Sequence, residues 1–313
     1  MIGAVVSNRA YTGPHDLQAM IDLIKARPRD RMADFPGILD LQEMLIVPKI
    51  QACTRLWIDP FGHLACFAIL DMDLDSANLT FEVAPDWKEK RLEADIVAWA
   101  EAFVRKTRLT NVGIFLLEAS ANSDNVACIA LLGQLGFDRQ AVGAVHLERS
   151  LADPIPKSQL PAGFIIRPIC GEAEAPDWVR LHRLAHGTEN MTVEYKLSMM
   201  RTPYYDPEMD LVAVAPGGGL AAYCVCFIEV EENALTGKKR GCTDPIATHP
   251  DFQRRGLSRA LMLRGLSLLQ ERGMDTAHLG TSSGNFAMIR TAESVGFHIT
   301  QNVFRYGKSI PLG

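Results

Sequence analysis

The sequence predicts an α+β fold built from two tandem copies of one unit, and three observations carry that expectation. The first is an internal repeat. Pro85-Asp86-Trp87-Lys88-Glu89-Lys90-Arg91-Leu92 aligns with Pro250-Asp251-Phe252-Gln253-Arg254-Arg255-Gly256-Leu257, and Asn125 and Asn285 each precede a Gly-Phe pair, Gly136-Phe137 and Gly296-Phe297, by eleven residues. The second is periodicity: short β-branched runs alternate with stretches of helical spacing in the same order in both halves. The third is the segment 153–162, whose prolines Pro154, Pro156 and Pro161 disfavour regular structure. It divides the 313 residues into domains 1–152 and 163–313, close to the usual ~150 residues per domain.

In the first half, Ala4-Val5-Val6 suggests a strand, and Thr12-Gly13-Pro14 opens a helix reaching about Ala26. A second helix is expected over 38–50. Residues 55–59 and 63–70, joined by Pro60-Phe61-Gly62, read as a β-hairpin. Strand 79–83, a helix over 90–105 and strand 112–117 follow. The second half repeats the pattern with strand 164–167, helices near 178–185 and 193–200, and a hairpin of 210–214 and 220–230 turning at Gly217-Gly218-Gly219. That glycine run is a turn and not a phosphate loop, since no helix follows it.

Composition excludes several classes. The net charge of −5 offers no general attraction for nucleic acid or anionic membrane, and no segment is long and apolar enough to span a bilayer. The N-terminus lacks a basic signal region. Seven cysteines without a Cys-x-x-Cys read as reduced core residues of a cytoplasmic protein, a monomer or homodimer.

The chemistry concentrates in residues 242–262. A strand runs to about Thr248, Pro250 closes it, and from Gly256 onward Leu257, Leu261, Leu266 and Leu269 give an amphipathic helix. A strand feeding a helix through such a turn leaves backbone N–H groups unpaired at the positive end of the helix dipole. With Arg254 and Arg255 beside them, they suit a polyphosphate. A side chain at Gly256 would obstruct its approach.

This stretch resembles motif A of the GNAT acetyltransferase superfamily, with Gln253, Gly256 and Ser258 at its three defining positions and Ser258 a departure at the last. The segment from Ser283-Gly284-Asn285 to Gly296-Phe297 resembles the family's later helix and its Gly-Phe ending. The resemblance implies a three-layer arrangement, a mixed central sheet flanked by helices, in each copy. It implies acetyl-CoA or another acyl-CoA bound by the second copy: Ile246, Ala247 and Thr248 along the pantetheine arm, Gln253, Arg254, Arg255, Gly256, Leu257 and Ser258 around the diphosphate, and Asn285 on pantetheine. It also implies that the motif A strand splays from its neighbour. Pro245 agrees, since proline inside a sheet fits only a bulge or an unpaired edge.

Asp244 is the candidate base, on one face with Cys242 and Ile246 by alternation, although it would equally serve to open an Asp-Pro turn. His249 reads as structural. The family's customary acid, a tyrosine four residues before the glycine of Gly-Phe, is Ala292 here, which leaves Tyr306 as a distant candidate. Glu189 and Glu194, between two helices of the second domain, could receive a cationic amine, while Thr192 capping accounts for part of the same run. His182 and His186 have metal spacing but no third ligand, and read as a helix face or cleft rim. In the first copy Lys88 and Arg91 replace Gln253 and Gly256, so that copy reads as degenerate, a support that walls the substrate cleft.

The function expected is transfer of an acetyl group to a primary amine of a small molecule by direct attack, without a covalent enzyme intermediate. Two alternatives stand: a mycothiol-synthase-like acetyltransferase, which the length and tandem layout also resemble, and a non-catalytic acyl-CoA-binding sensor.

Overall fold

The computed structural model describes residues 6–90, 92–108 and 113–312. It divides into two compact units, residues 1–143 with 302–313 and residues 144–301.

Unit 1 contains β1 (Ser7–Ala10), α1 (Pro14–Lys25), α2 (Ile38–Met44), α3 (Pro48–Ala52), β2 (Thr54–Ile58), β3 (Leu64–Met72), β4 (Ser76–Val83), α4 (Leu92–Thr107), β5 (Gly113–Asn122), α5 (Val126–Gln134) and the start of β6 (Asp138–Ser150). Its sheet runs β1-β2-β3-β4-β5, antiparallel except for the parallel β4–β5 pair. The strand beyond β5 is residues 302–312 of β12 (His298–Leu312), the end of the chain.

Unit 2 opens with residues 144–150 of β6 and continues through β7 (Ile165–Pro168), α6 (Ala175–His186), α7 (Val193–Met200), β8 (Asp210–Val214), β9 (Leu220–Ile228), α8 (Val230–Thr236), β10 (Arg240–Thr248), α9 (Leu257–Glu271), β11 (Thr276–Ser282) and α10 (Phe286–Glu293). Its strands run β7-β8-β9-β10-β11, again with one parallel pair, β10–β11, and β6 follows β11. Each unit therefore has the same strand order, and each takes its last strand from the other half of the sequence.

The repeat is present as expected, but the compact units are drawn differently from the sequence domains 1–152 and 163–313. Backbone pairing is the reason. Residues 144–150 bond to β11 and residues 302–312 bond to β5, so each hydrogen-bonded sheet reaches across the proline segment. The expected helix over 38–50 is two helices, because Pro48 cannot donate to the ladder and starts a new turn at α3. Of the first expected strand, Ala4 and Val5 lie outside the described residues, as does Arg91, and the side chains of Lys88 and Lys90 are not described.

Unit 1 packs Trp57, Leu70 and Phe115 against the Ile96, Val97, Ala100 and Val104 stripe of α4. In unit 2, α6 lays Trp178, Val179 and Leu181 on Val212, Tyr223 and Ala247, while α9 packs on β8, β9 and β10. Lys196 of α7 and Asp210 of β8 form a fully buried ion pair at 2.5 Å, with the Tyr205 hydroxyl donating to the same carboxylate at 2.8 Å and Trp178 lying under the ammonium. Breaking one partner of such a pair typically costs 3–5 kcal/mol. All seven cysteines are free and five are buried, while Cys128 is half-buried and Cys170 is exposed.

Candidate active site

The parallel pairing of β10 with β11 lasts for three residues, Arg240 to Cys242 against Thr276 to His278. Both strands continue but no longer pair, so the backbone edge of β10 from Asp244 to Thr248 that faces β11 carries no ladder. On its other side β10 pairs with β9, and there the register shifts between Thr243 and Ile246. Asp244 and Pro245 sit in that step, where the missing proline N–H costs the ladder nothing. The splay and the bulge both match the reading from sequence.

The shared face does not. Thr243 pairs with Cys226 and Ile246 with Cys224, and both sulfurs lie near Gly265 of α9. Thr243 and Ile246 thus share the α9 face although three residues apart. The bulge reverses the alternation, so Cys242 faces away from α9 while Ile246 faces toward it.

Asp244 lies in the mouth of the splay, where the Gly280 N–H donates to its carboxylate in place of a strand carbonyl. Burial raises the carboxyl from its ordinary 3.8 to about 6, and the Gly280 bond and the neighbouring His278 hold back part of that rise. A carboxylate in that range is ionised at neutral pH and basic enough to take a proton.

The loop ahead of α9 is exposed from Gln253 to Gly256. Gly256 caps the helix in the left-handed region at φ 80°, and a Cβ built there would meet nothing within 4 Å. Arg254 also holds φ 60°, a conformation costing of order 1 kcal/mol outside glycine. The first helical bond of α9 runs from the Ala260 N–H to the Gly256 carbonyl, so the N–H groups of Leu257, Ser258 and Arg259 precede the ladder. Ser258 bonds the Thr248 hydroxyl at 2.7 Å, pinning the helix start to the strand end. Converging N–H donors, two exposed arginines and open space above Gly256 fit a diphosphate, and the unpaired edge of Ile246 to Thr248 fits the amide-bearing arm of an acyl-CoA.

The remaining candidates fall elsewhere. Tyr306 is 3% exposed and sits in the core of unit 1, among Phe115, Ala119 and Phe137. Ala292 is fully buried in α10. Asn285 caps α10, accepting from the Met288 N–H at 3.1 Å and donating to Thr281 at 3.2 Å. His249 accepts from the Asp251 N–H. Thr192 caps α7 through the Tyr195 N–H. Glu189 pairs with Arg183 at 2.8 Å and points to solvent, and Glu194 is exposed. His182 and His186 converge on the Tyr223 hydroxyl at 2.8 and 3.0 Å, with burial lowering both imidazoles, His182 to about 4. They form the helix face that sequence favoured, anchored by a tyrosine it did not identify.

Sequence also missed His278 and Glu229, whose side chains meet at 3.2 Å beside Asp244, and Glu148, paired with Arg240 at 3.0 Å. Strand alternation around residues 146–150 was the available signal, but it does not say which strand lies next to them.

The sequence profile of the Acetyltransferase (GNAT) family matches residues 176–297, which includes β10, the loop and α9. Mycothiol acetyltransferase of Thermobifida fusca is 27% identical over 252 residues, 75% of this chain and 74% of that protein. Mycothiol acetyltransferase of Salinispora arenicola is 29% identical over 244 residues, 75% of each. Among solved structures, a GCN5-related N-acetyltransferase from Sphaerobacter thermophilus superposes with TM-score 0.67 at 20% identity, covering 98% of this chain and 96% of that one. A tandem GNAT protein from the clavulanic acid biosynthesis pathway gives TM-score 0.68 at 16% identity over 99% of both. At those identities the structures speak for the fold alone.

Proposed function

We propose, from the match of residues 176–297 to the Acetyltransferase (GNAT) family, that the chain moves an acetyl group from acetyl-CoA to a primary amine of a small molecule, with Asp244 as the base. The observation that carries the reading is the carboxylate held in the mouth of the β10–β11 splay.

Bound acetyl-CoA supplies the activated acyl carbon and a thiol leaving group. The loop N–H groups from Leu257 to Arg259, with Arg254 and Arg255, would hold its diphosphate, and the unpaired edge of Ile246 to Thr248 would direct its arm toward Asp244. Asp244 takes a proton from the ammonium form of the acceptor, so that a neutral nitrogen faces the acyl carbon. With Ala292 buried at the customary tyrosine position, the thiol departs without a dedicated acid from α10, as its solution acidity near ~8.5 permits.

The names of the two relatives make a mycothiol-related acceptor the first to test. The test is thiol release from acetyl-CoA across a panel of primary amines that includes that class. Turnover with at least one amine, lost in Asp244→Asn while acetyl-CoA still binds, supports the proposal. A thermal shift with acetyl-CoA and no thiol release with any amine would favour the sensor reading instead.

A further inference from the structure

The notch beside Asp244 has a second wall, and it comes from the first half of the sequence. Cross-strand partners share a face of a sheet. Gly280 pairs with His146 and His278 with Glu148 on β6, while Cys242 pairs with His278 on β10. Cys242 faces away from α9, so His146, Glu148, His278 and Gly280 lie on the face that α9 leaves uncovered. Two ion pairs confirm this register, Arg240 with Glu148 and His278 with Glu229.

Gly280 is the gap in that polar floor. A Cβ built on it would lie 4.0 Å from Asp244 Oδ2 and 4.0 Å from His146 Cδ2, so the one missing side chain leaves a space touched by both groups. Every neighbouring residue of this face on β6 and β11 carries a side chain: His146, Glu148, Thr276, His278 and Ser282. We propose that the acceptor amine is seated over Gly280, between the Asp244 carboxylate and the His146 imidazole, with the Glu148–Arg240 and His278–Glu229 pairs forming the polar rim that admits a primary ammonium group and disfavours an apolar or anionic one.

Three carboxylates, Asp244, Glu148 and Glu229, stand around this space against Arg240, Lys238 and the two imidazoles of His146 and His278, so the fixed charges lean toward a cation. The acid–base group reaches the amine from β10 and the positioning group from β6. Residues preceding the proline segment thereby complete the acceptor site of unit 2, which gives the first half of the chain a role in recognition without chemistry of its own. This inference rests on the transferase reading above and names its acceptor site.

The test is Gly280→Ala, with His146→Ala beside it, assayed by thiol release with whichever of glucosamine, spermidine or tyramine the parent turns over. The built Cβ makes only ordinary contacts at 4.0 Å, and Gly280 is not in the left-handed region, so the alanine variant should fold with the parent's melting temperature. A methyl group in a fitted pocket changes discrimination by roughly ten- to a hundredfold. The expected result is an acceptor KM raised by about that factor in Gly280→Ala and raised also in His146→Ala, with the KM for acetyl-CoA unchanged in both. Parent values of acceptor KM in both variants would overturn the inference while leaving the transferase reading intact. Absence of thiol release from the parent with every amine would remove that reading, and this inference with it.

Discussion

Two clefts of the same design are lined differently. In unit 1, β4 and β5 pair in parallel for three residues, Ser76 to Asn78 against Leu116 to Glu118, and then part, as β10 and β11 do in unit 2. The resemblance stops there. β4 keeps an unbroken register with β3 from Val83 to Ala77, without the step that houses Asp244 and Pro245. Where β10 has the two residues Asp244 and Pro245, β4 has the single residue Thr80, 7% exposed. The counterpart of Gly280 is Ser120, and across from it stands Arg305, which reaches back toward Glu118. The far end is also shut: Asp34 accepts from Asn122 at 2.6 Å and from Asn125 at 2.9 Å, and Arg31 pairs with Asp124. In unit 2 the side chain of the matching Asn285 bonds within its own turn, to Thr281 and Met288. The splay is thus a property of the scaffold, while the bulge, the carboxylate, the glycine gap and the open end belong to unit 2.

Four substitutions press on that contrast. The largest effect is expected from Asp244→Asn, which keeps shape and removes the base; turnover should fall by about 10²–10⁴-fold in steady-state kinetics while acetyl-CoA binding survives. The parent rate should decline below pH about 6 as the carboxyl takes its proton, and that acid limb should vanish from the variant. Next, Thr80→Asp places in unit 1 the carboxylate that unit 2 accommodates. Without the bulge it should be an unpaired buried charge costing roughly 3–5 kcal/mol in denaturant unfolding, and a much smaller loss would show that unit 1 holds a hidden cleft.

Gly256→Glu should cancel the stabilisation of ~2.7 kcal/mol expected with acetyl-CoA at a hundred times its Kd, by filling the open space above the loop with negative charge. The same Asp244→Asn variant offers a subtler check through stability. The folded carboxyl binds its proton more tightly than the unfolded one, so the parent loses stability as pH rises from about 4 to about 6 and stays penalised above it. The variant carries no such proton, and should be more stable by about 3 kcal/mol at pH 8 with no difference below pH 4. The smallest effect belongs to Asp34→Ala, which should cost about 1–2 kcal/mol in thermal unfolding through two lost hydrogen bonds and leave acetyl-CoA affinity untouched.

Much of this was legible in residues close together in sequence. Pro245 announced the bulge, Gly256 the helix start, Thr192 a cap, and the aligned Asn-to-Gly-Phe spacing the repeat. What stayed hidden depends on which distant strand lies alongside. An alternating strand such as residues 144–150 has the same pattern whether it pairs within its own repeat or with β11, so neither the exchange of final strands nor the arrival of His146 and Glu148 at Gly280 could be read. The same exchange carries Tyr306 into the core of unit 1. Alternation assigned Ile246 to the face of Asp244, and the bulge that Pro245 itself signalled reversed it. The Lys196–Asp210 pair left no trace because separation in sequence does not reveal burial.

One cleft of the two, that of unit 2, is proposed to bind the cofactor. Calorimetric titration of the chain with acetyl-CoA tests it most directly. One site per chain is expected, abolished by Gly256→Glu and unaffected by Asp34→Ala or by alanine at Lys88. Two equivalent sites, or a full site surviving in Gly256→Glu, would contradict it.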